Sequence, residues 1–416
     1  MSAWLHLAGD PAARPDDGRW LVFAGDVALL PGTARPHAPA LDAELSEAIA
    51  SGFAVANLEA PIAGAGAPAP KAGPTIATHD ATPTWLREAG FDAVSLANNH
   101  AMDHGWKALR DTAAACERHG LRTVGAGADA ATALEPLRVD VGGRAVAIFA
   151  VCEREFGVAA DGEPGVGWIS APDLERRIAA ARAEHDLVVV CAHGGNEEVR
   201  IPSAQRRAQL RRVVEAGADV VIGHHPHVAQ GWERWGDGFI FHSLGDFCFD
   251  SGLAHGAGAE PGYVVRVSAD GPQAGLALLP YVRDATSLRV AADPALARRL
   301  TRLAELIGDD AFDGLWQEVA VRLWEERYAP FVAAAANTAD PHGVYFRLAR
   351  LKARLGGRHR ALPTAREAAR DRSLLLLLLL RCESHRWAME TAQEVLAGAG
   401  LDRRTAATRR LADELR

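Results

Sequence analysis

The chain has 416 residues, of which 49% are hydrophobic and 24% are charged, and its net charge is −8. This composition is typical of a globular protein with two or three domains, and it argues against a disordered chain or an integral membrane protein. Because the charge is negative and no large basic patch stands out, we expect the chain to bind neither nucleic acid nor anionic lipid.

The N-terminal stretch contains neither a basic segment nor a long apolar one, and it reads MSAWLHLAGDPAARPDD. We therefore expect no signal peptide and no membrane anchor. The five cysteines of the chain are an odd number without CxxC spacing, which argues against a disulfide framework and a thiolate zinc site. Together these features predict a cytoplasmic protein.

From Trp20 to about Asp284, short apolar runs alternate with helical patterns. The predicted buried strands are WLVFAGD, FAVANLE, FDAVSLANNH, DLVVVCAHGG and ADVVIGHHPH. The predicted surface helices include LDAELSEAIAS, HGWKALRDTAAACERHG and SAQRRAQLRRVVEAG. This alternation predicts βαβ units with right-handed crossovers.

Other strands in the same region have an antiparallel pattern. LRVDVGGRAVAIFAV predicts two strands joined in a hairpin at Gly142-Gly143. FIFHSLGDFCFD and GYVVRVSADGPQAGLALLPYV predict further antiparallel strands. We therefore favour a mixed sheet or two packed sheets over a single parallel sheet.

Residues 60–74, APIAGAGAPAPKAGP, are rich in Ala, Gly and Pro and predict a flexible loop near the strand ends. Lys71 in this loop is a candidate contact for an anionic substrate, although a solvated surface position is the favoured interpretation.

After about residue 290 the pattern becomes helical. Asp293-Pro294 predicts a helix start, and LARRLTRLAELIG, DGLWQEVAVRLWEERY and GVYFRLARLKARLG have helical apolar faces. The leucine run 374–380 lies between Arg372 and Arg381 and is shorter than the roughly 20 apolar residues of a membrane span. It predicts a helix that is buried all round or that docks on a partner.

Three histidines crowd into residues 221–228, VIGHHPHV, directly behind a predicted strand. Each imidazole needs partners for two nitrogen atoms, and neutral imidazole is the commonest protein metal ligand. A single histidine at a strand end would be explained equally well by packing. Three together predict part of a metal site, with further ligands from elsewhere in the chain.

Polar side chains follow the other predicted strands in the same way. Ligands of open α/β sheets bind outside the carboxyl ends of the strands, where loops converge. Any one of these side chains could cap a turn, so the prediction depends on their joint occurrence. They are the oxygen and nitrogen donors that suit Mn, Fe or Zn, namely Asp26, Asn57, Glu59, Asn98, Asn99, His100, His193, His224, His225 and His227.

Six short motifs occur in order along residues 20–250, namely GD at 25–26, NLE at 57–59, ANNHAMDHG at 97–105, HGG at 193–195, GHHPHV at 223–228 and SLGDF at 243–247. They resemble the motifs of the CapA family of capsule or poly-γ-glutamate biosynthesis proteins. That family is a branch of the calcineurin-like metallophosphoesterases. The resemblance does not cover the helical C-terminal part.

The resemblance implies an α/β fold, a metallophosphoesterase-like two-sheet αββα sandwich at residues 20–285. The helical pattern adds a separate helical region at 290–416. The resemblance also implies one or two divalent metal ions, Mn, Fe or Zn, held by Asp26, Glu59 as the bridging carboxylate, Asn99, His193, His225 and His227. His100 would contact the substrate or protonate the leaving oxygen, with Asp103 as its orienting partner. His224 falls outside the His-x-His pair and would support the site or the fold.

One motif departs from the broad superfamily. The usual first motif is Asp-x-His, but Val27 and Ala28 follow Asp26 here. This departure removes one ligand and implies a weaker second site, a different metal or a single metal. Glu197 and Asp246 are additional carboxylates that we expect near the pocket.

Three functions fit these residues. The first is a metal-dependent hydrolase acting on a phosphoester or a related anionic substrate, in capsule or poly-γ-glutamate biosynthesis. The second is a non-hydrolytic, metal-containing subunit of a polymer-assembly complex, with a protein partner on the C-terminal helices. The third is amide hydrolysis by the same metals, because a metal-activated water attacks carbonyl carbon as well as phosphorus.

Overall fold

The computed structural model describes residues 3–9, 19–30, 39–64, 66–249, 261–284, 286–336 and 365–415. The chain forms two compact units, one of Met1–Pro68 with Ile76–Asp309 and one of Ala69–Thr75 with Asp310–Arg416. These units differ from the predicted ranges of 20–285 and 290–416. The first unit also contains a strand before residue 20 and the helix that begins at Pro294.

The strands of the described residues all belong to the first unit. In chain order they are β1 (Leu5–Gly9), β2 (Trp20–Ala28), β3 (Ala40–Leu41), β4 (Phe53–Leu58), β5 (Ala93–Ser95), β6 (Arg122–Val124), β7 (Ala126–Gly127), β8 (Leu137–Val141), β9 (Arg144–Cys152), β10 (Gly165–Val166), β11 (Leu187–His193), β12 (Val220–His224), β13 (Trp232–Trp235), β14 (Gly238–Phe241), β15 (Asp246–Phe249), β16 (Gly262–Ser268), β17 (Gly275–Arg283) and β18 (Ser287–Val290).

Helices connect these strands and make up most of the second unit. The first unit contains α1 (Ala43–Ala50), α2 (Thr82–Glu88), α3 (Gly105–Arg118), α4 (Ala130–Ala133), α5 (Leu174–Glu184), α6 (Ala204–Glu215) and α7 (Pro294–Gly308). The second contains α8 (Phe312–Leu323), a π-helical turn (Trp324–Tyr328), α9 (Ala329–Ala336), α10 (Ala365–Arg381), α11 (Glu383–Leu396) and α12 (Ala406–Glu414).

Two large sheets form the first unit. In the described residues the larger has the order β3-β18-β17-β16-β2-β4-β5-β6, with β1 beside β17 and β15 beside β2. The smaller has the order β13-β14-β12-β11-β9-β8. The predicted parallel pairing is confirmed for β2-β4-β5 and for β11-β12, and the parallel pairs extend to β6, β9 and β14.

The side-chain alternation of β9 shows how the sheets pack. Val146, Ile148 and Ala150 join the core that contains β2 and β16, whereas Ala147 and Phe149 pack against α5 and α6. Successive strand residues point to opposite faces, so one face of this sheet meets the larger sheet and the other meets helices. This arrangement is the predicted two-sheet sandwich flanked by helices.

Two predictions on single strands had different outcomes. The hairpin at Gly142-Gly143 is confirmed, because β8 and β9 pair antiparallel and both glycines have positive φ. The antiparallel interpretation of FIFHSLGDFCFD is confirmed for one pair, β13-β14, and is wrong for the rest, because β14 also pairs parallel with β12 and β15 pairs parallel with β2. Hydrophobic alternation reports burial and not strand direction, so the pattern could not distinguish the two.

The second unit packs its helices around aromatic side chains. Trp316 of α8 is buried and donates a hydrogen bond from Nε1 to Oγ1 of Thr391 in α11, at 3.3 Å.

In the leucine run of α10, Leu375, Leu378 and Leu379 are buried, but Leu376 and Leu380 are 49% and 61% exposed. The helix is therefore not buried all round.

The predicted helix GVYFRLARLKARLG lies outside the described residues. The helices of the described ranges are each too short or too polar to traverse a lipid bilayer.

We predict that the core between the sheets dominates the stability of the first unit. Replacing the fully buried Leu278 of β17 with alanine should lower the free energy of unfolding by about 2–5 kcal/mol, because it removes buried methyl groups and leaves a cavity. Chemical denaturation followed by tryptophan fluorescence measures the change. The matched control Leu401→Ala, at a 68% exposed position, should change it by less than about 0.5 kcal/mol. Equal effects of the two substitutions would contradict the packing described here.

Candidate metal centre

The carboxyl ends of strands from both sheets meet at one cluster of polar side chains. Asp26 lies in β2, and Glu59 follows β4. From the smaller sheet, His193 ends β11 and pairs with His224 at the end of β12. Because parallel strands end at the same edge of a sheet, residues distant in sequence become neighbours here. The six predicted ligands, Asp26, Glu59, Asn99, His193, His225 and His227, are all in this cluster.

His193 lies at the centre of the first group of donor atoms. Its Nε2 is 3.0 Å from Oδ1 of Asn99, 3.1 Å from Nδ1 of His225 and 3.5 Å from Oε1 of Glu59. Glu59, His193 and His225 are buried, and each offers one donor atom close enough to share a cation. One carboxylate, one amide oxygen and two imidazoles form a donor set that suits Mn, Fe or Zn.

Asp26 is held by donors from three directions. Its Oδ1 accepts a hydrogen bond from Nδ2 of Asn57 at 2.8 Å and lies 3.0 Å from Nδ1 of His224. Its Oδ2 accepts from the backbone N–H of His225 at 3.0 Å. These contacts fix the carboxylate, and its Oδ2 lies 3.9 Å from Nδ1 of His227.

The carboxylate of Glu59 differs from that of Asp26. It is completely buried, and neither of its oxygens has a hydrogen-bond partner. Burying a charged group without hydrogen bonds is costly, and such charges are normally paired or bound to metal. Oε1 faces Nε2 of His193 at 3.5 Å and Nε2 of His227 at 3.7 Å. The side chain therefore fits a position between two cations.

His227 connects the cluster to two further carboxylates. Its Nδ1 is 2.8 Å from Oδ1 of Asp246, and Asp26, His227 and Asp246 form a second group of donors close enough to share a cation. Glu197, an exposed residue, forms a third such group with His225 and His227. Both expected carboxylates are thus at the pocket.

The backbone of the GHHPHV motif turns the imidazoles inward. His225 and His227 have φ values of 96° and 58°, on either side of Pro226. Non-glycine residues seldom adopt positive φ, and such strain usually persists where the surrounding structure requires it. The backbone N–H of His225 is at the same time close to Asp26. The unusual backbone is thus part of how the site is built.

Burial changes the acid–base properties of the cluster. It raises the pKa of Glu59 well above its ordinary value, and the charge of Asp26 raises it further. It lowers the pKa of His193 well below its ordinary value and that of His225 to about 3. Both imidazoles are therefore neutral near pH 7, which is the form that binds a metal ion.

Charges within the cluster outweigh burial at two other residues. Burial raises the pKa of Asp26, but His224, His193 and His227 together hold it below its ordinary value. Burial lowers the pKa of His227, but the carboxylates of Glu59 and Asp246 raise it well above its ordinary value. A cation bound here would replace protons that Glu59 and His227 otherwise retain.

His100 and Asp103 form a buried pair at the start of the loop before α3. Nδ1 of His100 is 2.7 Å from Oδ2 of Asp103, and the same Oδ2 accepts a hydrogen bond from the backbone N–H of Ile76 at 2.7 Å. The backbone N–H of His100 donates to Oδ1 of Asn98 at 3.2 Å. Asp103 thus fixes one ring nitrogen of His100, as its predicted orienting role requires.

The structure gives roles at the site to two residues beyond the six predicted ligands. Asn57 was grouped with the strand-end residues but given no role, and it bridges Asp26 and His193, with its Nδ2 3.3 Å from Nδ1 of His193. Glu153, just after β9, was missed. It is buried, accepts a hydrogen bond from Gly195 N–H at 3.2 Å and lies 4.0 Å from Nε2 of His225. Its position directly after the apolar run of β9 is the sequence feature that could have indicated another polar residue at a strand end.

All five cysteines lie in described residues, where they are buried and not joined in disulfides, as expected.

A family model described as "Bacterial capsule synthesis protein PGA_cap" matches residues 20–251. The chain belongs to this family. The match covers the strands that supply the cluster, and it confirms the resemblance to CapA proteins.

The family's curated members include several that are similar to this chain. They are the "Capsule biosynthesis protein CapA" of Bacillus anthracis, 35% identical over 42% of this chain and 44% of that protein, the "PGA biosynthesis protein CapA" of Bacillus subtilis, 34% identical over 40% and 45%, and a "Probable polyglutamine synthesis accessory protein" of Mycobacterium tuberculosis, 32% identical over 38% and 44%. The matched part therefore spans less than half of the length of each relative.

Similar solved structures include two from Thermus thermophilus. A hypothetical protein has a TM-score of 0.38 and 18% identity, covering 64% of this chain and 98% of its own. A 5'-nucleotidase precursor has a TM-score of 0.39 and 15% identity, covering 75% of this chain and 67% of its own.

We predict that Glu59→Gln separates the fold from cation binding. In chelator, its free energy of unfolding should lie within about 1 kcal/mol of the wild type, because a neutral amide resembles the protonated carboxyl that the raised pKa implies. With Mn²⁺ at 100 times its Kd, the wild type should gain about 2.7 kcal/mol and the variant much less. Thermal and chemical unfolding with and without Mn²⁺ measure both effects. The exposed control Glu184→Gln should behave like the wild type. Equal stabilisation of Glu59→Gln and wild type would contradict the placement of a cation beside Glu59.

Proposed function

We propose that this chain is a divalent-metal-dependent hydrolase that acts on a phosphoester or a related anionic substrate in the synthesis of a capsule or poly-γ-glutamate polymer. The observation that carries the proposal is the buried Glu59 carboxylate, which has no hydrogen-bond donor and faces the Nε2 atoms of His193 and His227. Membership of the capsule synthesis family supports the biological setting.

The two groups of donors have different roles in the proposal. Glu59, Asn99, His193 and His225 would hold one Mn, Fe or Zn ion, and Asp26 and His227 would hold a second, with Glu59 between them. A bound divalent cation at such a site lowers the pKa of water towards neutrality and polarises a phosphoryl oxygen.

The carboxylates of the pocket give a second argument for bound cations, because the proposed substrate is anionic. The charges of Asp26, Asp246 and Glu197 each raise the pKa of Glu59. Like charges brought together in a buried site oppose the binding of another anion. Two divalent cations would neutralise this charge, so substrate binding and metal binding are expected to depend on each other.

His100 is the group that we assign to the leaving oxygen. Asp103 contacts its Nδ1, so Nε2 would be the nitrogen that protonates the leaving oxygen. A histidine with one nitrogen fixed by a carboxylate is a common general acid, and such groups contribute about 10²–10⁴-fold to a rate. Asp103 acts through His100 and is therefore a positioning residue.

We predict that metal content depends on the proposed ligands. Protein purified without a histidine tag or chelator should contain up to two Mn, Fe or Zn ions per chain. His225→Ala and Glu59→Ala should lose both metal and turnover, because each removes a buried donor. Elemental analysis beside a phosphoester activity panel measures this. The exposed control His119→Ala should keep both. Full turnover of His225→Ala, or a wild type without metal after reconstitution, would refute the proposal.

We predict that His100→Asn lowers turnover about 10²–10⁴-fold while metal content stays at the wild-type level. Asp103→Asn keeps an acceptor for the N–H of Ile76 and should cause a smaller loss, with a changed pH profile of kcat/KM. Parallel metal analysis and pH-dependent kinetics distinguish these effects from misfolding. Unchanged kcat/KM in His100→Asn would exclude it as the proton donor.

An alternative is a non-hydrolytic, metal-containing subunit of a polymer-assembly complex. It is favoured by Leu376 and Leu380, which lie one turn apart on α10 and are exposed. Exposed apolar side chains at this spacing suit contact with another protein. Full metal content without turnover on phosphoesters or on γ-glutamyl amides, with a co-purifying partner that Leu376→Ser releases, would support this alternative. Turnover on the amides alone would instead indicate amide hydrolysis.

A further inference from the structure

Strand β2 contributes one donor residue, Asp26, to the group formed by Asp26, His227 and Asp246. Val27 and Ala28, which follow Asp26, are fully buried and apolar. Asp26 itself is already engaged on Oδ1 by Asn57 and His224 and on Oδ2 by the backbone of His225. A cation beside Asp26 and His227 would therefore obtain few ligands from β2, whereas four side chains, Glu59, Asn99, His193 and His225, would hold a cation beside His193.

Strand β15 lies beside β2 at this point. The two strands pair parallel, with Asp246 opposite Asp26 and Phe249 opposite Ala28. The ring of Phe249 packs on the imidazole of His227, with the ring centroids 4.6 Å apart. The residue paired with Ala28 is thus an aromatic one that packs on His227, and the neighbouring strand β15 also brings the carboxylate of Asp246 to this side of the cluster.

Asp246 is placed to act on the same cation. Its Oδ1 is 2.8 Å from Nδ1 of His227, and Nδ1 is 3.9 Å from Oδ2 of Asp26. One donor atom from each of the three residues lies within 4.8 Å of the other two. The backbone carbonyl of Asp246 accepts a hydrogen bond from the hydroxyl of Tyr281 at 2.9 Å, which anchors the backbone of the residue.

We infer that Asp246 is a metal ligand, and that it completes a second cation site with Asp26 and His227. The inference rests on the proposed function, because it assigns a ligand to the second of the two cations. The independent observation beside this site is the buried Glu59 carboxylate, whose Oε1 is 3.7 Å from Nε2 of His227 and has no hydrogen-bond partner. Two carboxylates with one imidazole favour a hard ion such as Mn²⁺ over ions that prefer sulfur or nitrogen.

The test counts Mn²⁺ ions and needs no substrate. Metal-free full-length protein, Asp246→Ala and Asp246→Asn are titrated with Mn²⁺ in equilibrium dialysis with elemental analysis and in calorimetry. The wild type should bind two ions. Both variants should bind one ion with nearly wild-type affinity, because the group around His193 is unchanged. At the second site, the loss of affinity should exceed the 10–100-fold that removal of a residue supporting a ligand costs.

Asp246→Asn distinguishes a ligand from an orienting residue. Its amide oxygen is a neutral and weaker cation ligand than a carboxylate, but it can still accept a hydrogen bond from Nδ1 of His227, so a residue that only oriented the imidazole would leave both ions bound with nearly wild-type affinity. The exposed control Asp237→Asn should keep both ions. Unfolding in chelator shows whether each variant folds, and a variant that fails to fold is replaced by Asp246→Glu, which should restore the second ion at reduced affinity.

Each outcome decides a different claim. Two ions in the wild type and one in the Asp246 variants support the assignment. Two ions of nearly equal affinity in both the wild type and Asp246→Asn overturn it and leave the proposed hydrolase intact. A wild type that binds one ion, unchanged in the variants, also overturns it. A wild type that binds no ion refutes the proposed function first, and the assignment with it.

Discussion

The buried carboxylate of Glu59 is the constraint on which the interpretation of this molecule depends. A carboxylate without a hydrogen-bond donor costs free energy in a protein interior, and it persists only if something compensates for it. Here the groups that face it are the Nε2 atoms of His193 and His227. In a neutral imidazole, the nitrogen that carries no proton offers a lone pair to a cation. A cation between them would satisfy all three groups at once. The cost of burying a charge also explains why burial raises the pKa of Glu59 and lowers the pKa of His193.

The sandwich creates this constraint through the direction of its strands. β2 and β4 belong to one sheet, and β11 and β12 belong to the other. Their carboxyl ends meet, so each sheet contributes donors that it could not combine alone. The oxygens come from the larger sheet and the imidazoles come from the smaller one. If the two sheets shifted relative to each other, the carboxylates would therefore move away from the histidines, while the geometry within each set stayed the same.

The positioning of the donors depends on contacts that carry no obvious signature in the sequence. Asn57 bridges Asp26 and His193, and Glu153 supports the turn at Gly195. Asp246 comes from a strand that the sequence pattern assigned to antiparallel pairing, whereas its parallel register with β2 brings it opposite Asp26. These residues could not be assigned from spacing, because their roles follow from which strands are neighbours.

The sequence by itself determined the strand and helix pattern of the sandwich, the histidine cluster, and the polar residues that end each strand. It could do so because hydrophobic periodicity and local turn residues act over a few positions. Only the tertiary structure decided that Glu59 has no hydrogen-bond donor, that Asp103 holds Nδ1 of His100, and that Leu376 and Leu380 are exposed. Burial, tautomer and register depend on side chains far apart in the chain, so no local pattern can specify them.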